Sequence, residues 1–275
     1  MSLTEKVLPA GANCNEPVEI AVAEGASTSV LGTTVNAWHK ANCGEANKAV
    51  WYSVVGTGNV FKATTCSEAT EFPTQVSVTE NCSPSSSYCS SEVQDLECPG
   101  NAAAMEWVTE AGVTYQIAVG GRSAEAEGNF ELTLTEKVLP GGAYCDNPVQ
   151  LSAPQGSTVS VTGSTVNAIN SATCGISNTA VFYSVTGTGN TFKATTCSEA
   201  TNFATQVSVT ENCSPSSWYC SSEVQDLDCP SNTQAASVSW LSEAGVTYQI
   251  AVGGRAQDSQ GSFELHVTEV ATVAL

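Results

Sequence analysis

The sequence predicts an all-β fold of two tandem antiparallel β-sandwich units, each stapled by three disulfides. Three observations predict it. Residues 61–98 return nearly letter for letter as residues 192–229, and each of the six cysteines of the first half recurs 131 positions later. Self-similarity at one fixed offset marks a module written twice. Apolar and polar residues alternate through the module, with β-branched and aromatic enrichment and no 3.6-residue stripe, which is strand periodicity. The 12 cysteines form an even, positionally repeated set, the pattern of a disulfide framework made in an oxidising compartment.

Taken in order, residues 17–22 and 28–31 read as the first two strands, parted by Glu24-Gly25. Residues 49–55 are the firmest, with Val50, Tyr52 and Val54 on one face and Trp51, Ser53 and Val55 on the other. Residues 56–59, Gly-Thr-Gly-Asn, read as a turn leading into a strand over 60–65, a hairpin. Residues 74–79 and 105–109 alternate, 114–119 follow a turn at Ala111-Gly112, and Phe130, Leu132 and Leu134 close the module with Glu131 and Thr133 outward. About eight short strands with turns every eight to twelve residues give two packed sheets. Residues 83–101, serine-rich and acidic, read as a loop with at most a helical turn at 92–96.

These limits give domains of 1–135 and 136–275, each long enough to bury its own core. After Cys229 the offset becomes 133, so that Trp107 answers to Trp240 and Phe130 to Phe263. Loops absorb insertions, so a loop is expected between Cys98 and Trp107. Residues 3–9 recur as 134–140 at the seam, and Val267-Thr268-Glu269 begins that seam again before drifting into what reads as the start of a further linker. A longer precursor with more copies is the expectation, its secretory signal lying outside this chain. The joint carries no Gly/Ser tract, so it is expected to be short and stiff.

A formal charge of −19 with eight Lys plus Arg excludes nucleic acid, whose affinity comes from clustered cations. The same deficit argues against anionic membrane. No apolar run approaches the roughly 20 residues that span a bilayer, so membrane insertion is not expected.

The order VWYSVVGTG (50–58), KATTC (62–66), F-x-TQVSV (72–78), two cysteines across a serine loop, a late cysteine, then AGVTYQIAVGG (111–121) and GNFELTLT (128–135) resembles the secreted, cysteine-bearing β-sandwich repeats related to pre-peptidase C-terminal domains. The resemblance covers nearly all of both modules. It implies a jelly-roll-like sandwich arrayed in surface or secreted proteins, with carbohydrate or matrix contact and without catalysis.

Six cysteines permit fifteen pairings. Nearest neighbours across the serine loop and longer staples between strands lead to Cys14–Cys43, Cys66–Cys98 and Cys82–Cys89, and by offset to Cys145–Cys174, Cys197–Cys229 and Cys213–Cys220. Zinc is the rival use of cysteine, but its sites draw on closer Cys pairs with histidine helpers. No cofactor is required, although calcium is a candidate: Glu92, Asp95 and Glu97, and Glu223, Asp226 and Asp228, each put three carboxylates in six residues. For sugar contact, Trp51, Trp107 and Trp240 lie within strands and read as core. Trp218 and Tyr219 in the serine loop are the glycan-contact candidates. Asn81-Cys82-Ser83 and Asn212-Cys213-Ser214 are N-glycosylation sequons. The histidines, His39 and His266, answer to Asn170 and Thr133, and a catalytic base is not expected to differ between copies. The chain is therefore expected not to be an enzyme.

Two functions remain. One is a non-catalytic extracellular structural or adhesive repeat, contacting copies of itself or other matrix and surface components and assembling into filaments or a coat through unpaired strand edges. The other is a pair of carbohydrate-binding modules, calcium-assisted, whose partner is a polysaccharide.

Overall fold

The computed structural model describes residues 6–41, 48–83, 88–89, 102–152, 155–172, 179–213, 219–220, 229, 234–257 and 259–270. The chain divides into two compact units, Met1–Val138 and Leu139–Leu275. All regular structure among the described residues is strand. Unit 1 holds β1 (Val18–Glu19), β2 (Ser27–Thr33), β3 (Ala49–Val55), β4 (Val60–Thr64), β5 (Thr74–Glu80), β6 (Tyr88–Cys89), β7 (Ala104–Val108), β8 (Thr114–Gly121) and β9 (Asn129–Lys137). They form a five-stranded sheet, β1-β3-β8-β5-β6, and a four-stranded sheet, β2-β9-β4-β7.

Unit 2 repeats this with β10 (Val149–Gln150), β11 (Thr158–Ser164), β12 (Ala180–Thr186), β13 (Thr191–Thr195), β14 (Thr205–Glu211), β15 (Tyr219–Cys220), β16 (Ser237–Leu241), β17 (Thr247–Gly254) and β18 (Ser262–Val270). Its sheets are β10-β12-β17-β14-β15 and β11-β18-β13-β16. Each unit is thus a β-sandwich, and its pairings are antiparallel except for β1 with β3 and β10 with β12, which run parallel. That exception departs from the purely antiparallel reading.

Alternation decides what faces inward. In β9, Phe130, Leu132, Leu134 and Glu136 are buried while the residues between them are half-exposed. Opposite them in the core stand Val50, Tyr52 and Val54 of β3 and Tyr115, Ile117 and Val119 of β8. Aromatic rings fill its middle: Phe61 stacks on Trp107 at 6.0 Å and Tyr52 meets Phe130 edge-on at 6.3 Å, arrangements that suit ring quadrupoles.

The five-stranded sheet is buried on its outer side too. Six of the seven residues of β3 are buried, a run that alternation alone does not predict. Over that outer face the N-terminal segment crosses Trp51, whose amide donates to the Gly11 carbonyl at 2.7 Å. Gly11 has φ +70°, and a Cβ there would stand 2.3 Å from the Trp51 carbonyl oxygen. Only glycine allows this approach. Ala41, Ala49, Trp51 and Ala118 form a second small core there, with Cys14 packed against it.

The disulfides correct the pairing read from the sequence. Cys14 is joined to Cys82, not Cys43, and Cys145 to Cys213, not Cys174. Cys82–Cys89 and Cys213–Cys220 are thereby overturned as well. The cause is local backbone. Asn81 and Cys82 both have positive φ, 52° and 56°, and the Ser83 amide donates to the Glu80 carbonyl at 3.0 Å. This is a type I′ turn, with cysteine where glycine is usual. Gln116 Oε1 accepts the Cys82 amide at 3.2 Å, and Cys82 reaches Cys14 above Trp51. Proximity in sequence is a poor guide once a turn fixes direction. Cys197 is bonded to Cys229, the partners expected, and Cys66 and Cys220 are also disulfide-bonded. Cys43, Cys98 and Cys174 lie outside the described residues.

Residues 56–59 do not make a hairpin either. β3 pairs with β1 and β8, whereas β4 pairs with β7 and β9, so this loop crosses between sheets. A buried carboxylate holds it there. Glu136, 2% exposed, accepts from the Thr57 hydroxyl, from Asn59 Nδ2 at 2.8 Å and from the Gly25 amide at 3.0 Å. Burial pushes its pKa up, but the donations from Asn59, Thr57 and Gly25 outweigh burial and hold it below the ordinary carboxylate value. Glu269 repeats the arrangement with Asn190 and Thr188, whose hydrogen bonds outweigh burial. The Gly156 amide lowers it further, although it stands too loosely to make the bond that Gly25 makes.

Two outcomes follow from these contacts. Non-reduced peptide mapping should yield Cys14–Cys82 and Cys145–Cys213, and Cys14→Ser with Cys82→Ser should cost unit 1 roughly 2–5 kcal/mol in denaturant titration. Glu136→Gln should destabilise unit 1 by about 1–3 kcal/mol, because the amide presents a donor where the carboxylate accepted. A lowered pKa means that the stabilisation is fully present above the ordinary value of 4.5 and is lost as pH falls through the lowered one. The gap between wild type and Glu136→Gln should therefore narrow in acid, as a pH series of melting curves would record.

Candidate functional site

At one side of unit 1 the two sheets part, where β1 edges one and β2 edges the other. A groove of about 620 Å³ opens there. Val18, Val30, Phe130 and the ring of Tyr52 make its floor, Pro9 and Leu31 its apolar walls, and Thr33, Glu71 and Asn129 its polar rim. Gly32 keeps it open: a Cβ at that position would lie 2.2 Å from the Tyr52 hydroxyl oxygen and 2.5 Å from Phe130 Cζ. Burial pushes the Tyr52 hydroxyl pKa up to about 12, so at neutral pH it is an uncharged donor and acceptor.

On the rim, Glu71 Oε2 accepts from the Asn129 amide at 3.2 Å and from Asn129 Nδ2 at 3.1 Å. That fixes both side chains at the mouth. Smaller hollows of about 460 Å³, beside Ile20 and Val54, and 390 Å³, beside Tyr144 and Asn170, flank the five-stranded sheets of the two units.

Unit 2 keeps the counterpart floor and changes the rim. Val149, Val161, Tyr183 and Phe263 stand for Val18, Val30, Tyr52 and Phe130, and a Cβ on Gly163 would lie 2.2 Å from the Tyr183 hydroxyl. Leu31, Thr33, Glu71 and Asn129 become Thr162, Ser164, Asn202 and Ser262. There Asn202 Oδ1 accepts the Ser262 amide at 2.9 Å.

A second cluster lies on the outer face of the four-stranded sheets. In unit 1 it is a hydroxyl ladder, with Ser27 on Thr135 and Ser29 on Thr133, both at 2.8 Å. In unit 2 Thr133 is replaced by His266, whose Nδ1 lies 2.7 Å from Ser160 Oγ and whose Nε2 lies 3.6 Å from Glu264 Oε2. Glu264 also accepts from Ser198 at 2.6 Å. Serine, imidazole and carboxylate thus meet on an open sheet face, and the register Ser160↔His266 puts them there.

Of the residues singled out in the sequence, Trp51, Trp107 and Trp240 are buried. Trp38 is 64% exposed, its ring 4.1 Å from that of His39. Tyr219 is exposed on β15 opposite Val209. Asn81 and Asn212 are exposed at the tips of their turns. Trp218, Glu92, Asp95, Glu97, Glu223, Asp226 and Asp228 lie outside the described residues. The groove escaped the sequence reading because its lining is spread from Pro9 to Phe130. The signal was present as substitution between copies, at Leu31, Glu71 and Asn129, inside otherwise repeated stretches.

No family model and no curated protein matches the chain. Solved structures similar to it include PliG of Aeromonas hydrophila, a periplasmic inhibitor of g-type lysozyme, at 13% identity over 44% of this chain and 96% of that one, with a TM-score of 0.30. The pre-peptidase C-terminal domain of a Bacillus anthracis collagenase is similar at 13% identity over 44% and 95%, with a TM-score of 0.29. The tandem CBM51 modules of a family 98 glycoside hydrolase from Streptococcus pneumoniae match at 8% identity over 82% of each chain, with a TM-score of 0.21.

Proposed function

We propose that the chain is a non-catalytic extracellular contact module, a structural or adhesive repeat whose duplicated sandwich carries two different surfaces. One observation carries this reading: the main elements that hold each unit are copied, while several outward-facing positions differ in chemical character. The pairs Cys14–Cys82 and Cys145–Cys213, the carboxylates Glu136 and Glu269, and the stacked pairs Phe61–Trp107 and Phe192–Trp240 correspond. Leu31, Trp38, Glu71 and Thr133 answer to Thr162, Ile169, Asn202 and His266. Scaffold positions are constrained by packing, whereas contact positions are free to follow partners.

The disulfides fit an oxidising exterior, and a charge of −19 keeps such a protein soluble. The partners in this reading are surface or matrix components, further copies of the chain among them, joined through the edge strands β2, β7, β11 and β16. Val108 on β7 and Leu241 on β16 are exposed, which suits edge-to-edge contact. Calcium at the acidic residues between the paired strands and the late cysteines belongs to the same proposal.

The second reading, carbohydrate binding, is favoured by the groove of unit 1, which joins an apolar floor to a few fixed polar groups.

Three experiments test these statements. Sedimentation velocity over a wide concentration range should reveal reversible self-association, and a monomer throughout would remove copies of the chain as partners. Melting curves should shift upward with calcium and back with chelator, and identical curves would remove the cation. A fluorophosphonate probe should leave Ser160 unlabelled, whereas adduct formation at Ser160 that is lost in His266→Thr would overturn the non-catalytic reading.

A further inference from the structure

The geometry points to the groove between β1 and β2 of unit 1 as a site for one neutral pyranose of a polysaccharide. Glu71 and Asn129 are its hydrogen-bonding pair. This rests on the carbohydrate reading above. It moves sugar contact away from the serine loop, where Trp218 and Tyr219 were the candidates, to residues that sequence inspection passed over.

The chemistry of the lining argues for that occupant. A pyranose has an apolar C–H face and a belt of hydroxyls that both donate and accept. The floor of Val18, Val30, Phe130 and the Tyr52 ring suits the first. The rim suits the second: a carboxylate that accepts, a carboxamide that does both, and the hydroxyl of Thr33.

Glu71 uses Oε2 for both of its bonds to Asn129, which leaves Oε1 to accept from vicinal hydroxyls. Hydrogen bonds to a charged acceptor are the stronger kind. Among the described residues that line the groove Glu71 is the one that carries a charge, Tyr52 being neutral, so a uronate or sulfated sugar would meet like charge. The volume of about 620 Å³ lies within the range of roughly 300–1,000 Å³ usual for small-ligand sites.

The repeat supplies a control. Unit 2 folds over the same floor with Thr162, Asn202 and Ser262 at the rim. Leu31→Thr, Glu71→Asn and Asn129→Ser therefore give unit 1 a rim that this sandwich already accommodates, with no change to its core. Asn202 and Ser262 still bond each other, at 2.9 Å, so the triple variant should fold and melt as wild type does.

The test is calorimetric titration of the full chain with cellohexaose, laminarihexaose, xylohexaose and oligogalacturonate. One neutral oligosaccharide should bind, oligogalacturonate should bind more weakly, and the triple variant should lose at least roughly tenfold in affinity, the worth of one charge-assisted hydrogen bond. Glu71→Gln, which keeps shape and removes charge, should lose affinity for the neutral sugar and lose the discrimination against oligogalacturonate. Binding that is equal in wild type and triple variant would overturn the groove assignment while leaving carbohydrate binding intact. Heat silence with all four probes would overturn both.

Discussion

A single ionised carboxylate on the closing strand organises each sandwich. Glu136 stands where the inward alternation of β9 would place another leucine. Sealed from water, it must be satisfied by protein donors, and it takes three from two separate places: the crossover at Thr57 and Asn59 and the turn at Gly25. A leucine there would pack but would remove the side-chain tie between the two loops, leaving the crossover to its bonds with Thr109 and Val113. The crossover sends β3 and β4 into different sheets, and this buried charge ties it to the turn at Gly25. Its recurrence as Glu269 with Thr188 and Asn190 means the device was copied with the module.

The second constraint is that the five-stranded sheet is covered on both faces. The inner face meets the aromatic core, and the outer face is capped by the segment through Gly11 and by Cys14 bonded to Cys82. This leaves the four-stranded sheet as the open one, with its ladder of serine and threonine hydroxyls. Each unit therefore has a sealed side and a wet side, and in unit 1 a groove opens where the two sheets separate. Differences between the copies fall on the wet side and at the groove mouth, where Thr133 and Glu71 answer to His266 and Asn202, and on the sealed side too, where Trp51 answers to Phe182.

Much of the fold was legible in the sequence because strand alternation is written residue by residue. β3 was found at both ends, and Phe130, Leu132 and Leu134 were correctly turned inward. What was not legible depended on direction through space. The turn at residues 56–59 has hairpin composition, yet its polar side chains reach a carboxylate 77 or more residues away. Cys82 was assigned to its neighbour because sequence distance was the available measure, while the positive φ of Asn81 and Cys82 turned the thiol toward the start of the module. The tryptophans inside strands were readable as core. The groove was not, since no two of its rim residues Thr33, Glu71 and Asn129 are close in sequence.

The link from Cys14 to Cys82 has a consequence for biosynthesis. The first thiol of the module leaves the ribosome 68 residues before its mate, an interval of several seconds at roughly 5–20 residues per second. During that interval Cys43 is the nearer thiol, and a premature bond to it would have to be broken by exchange before the N-terminal segment could settle over Trp51. Native pairing of Cys14 therefore requires either that oxidation wait for Cys82 or that an earlier bond be undone by thiol–disulfide exchange.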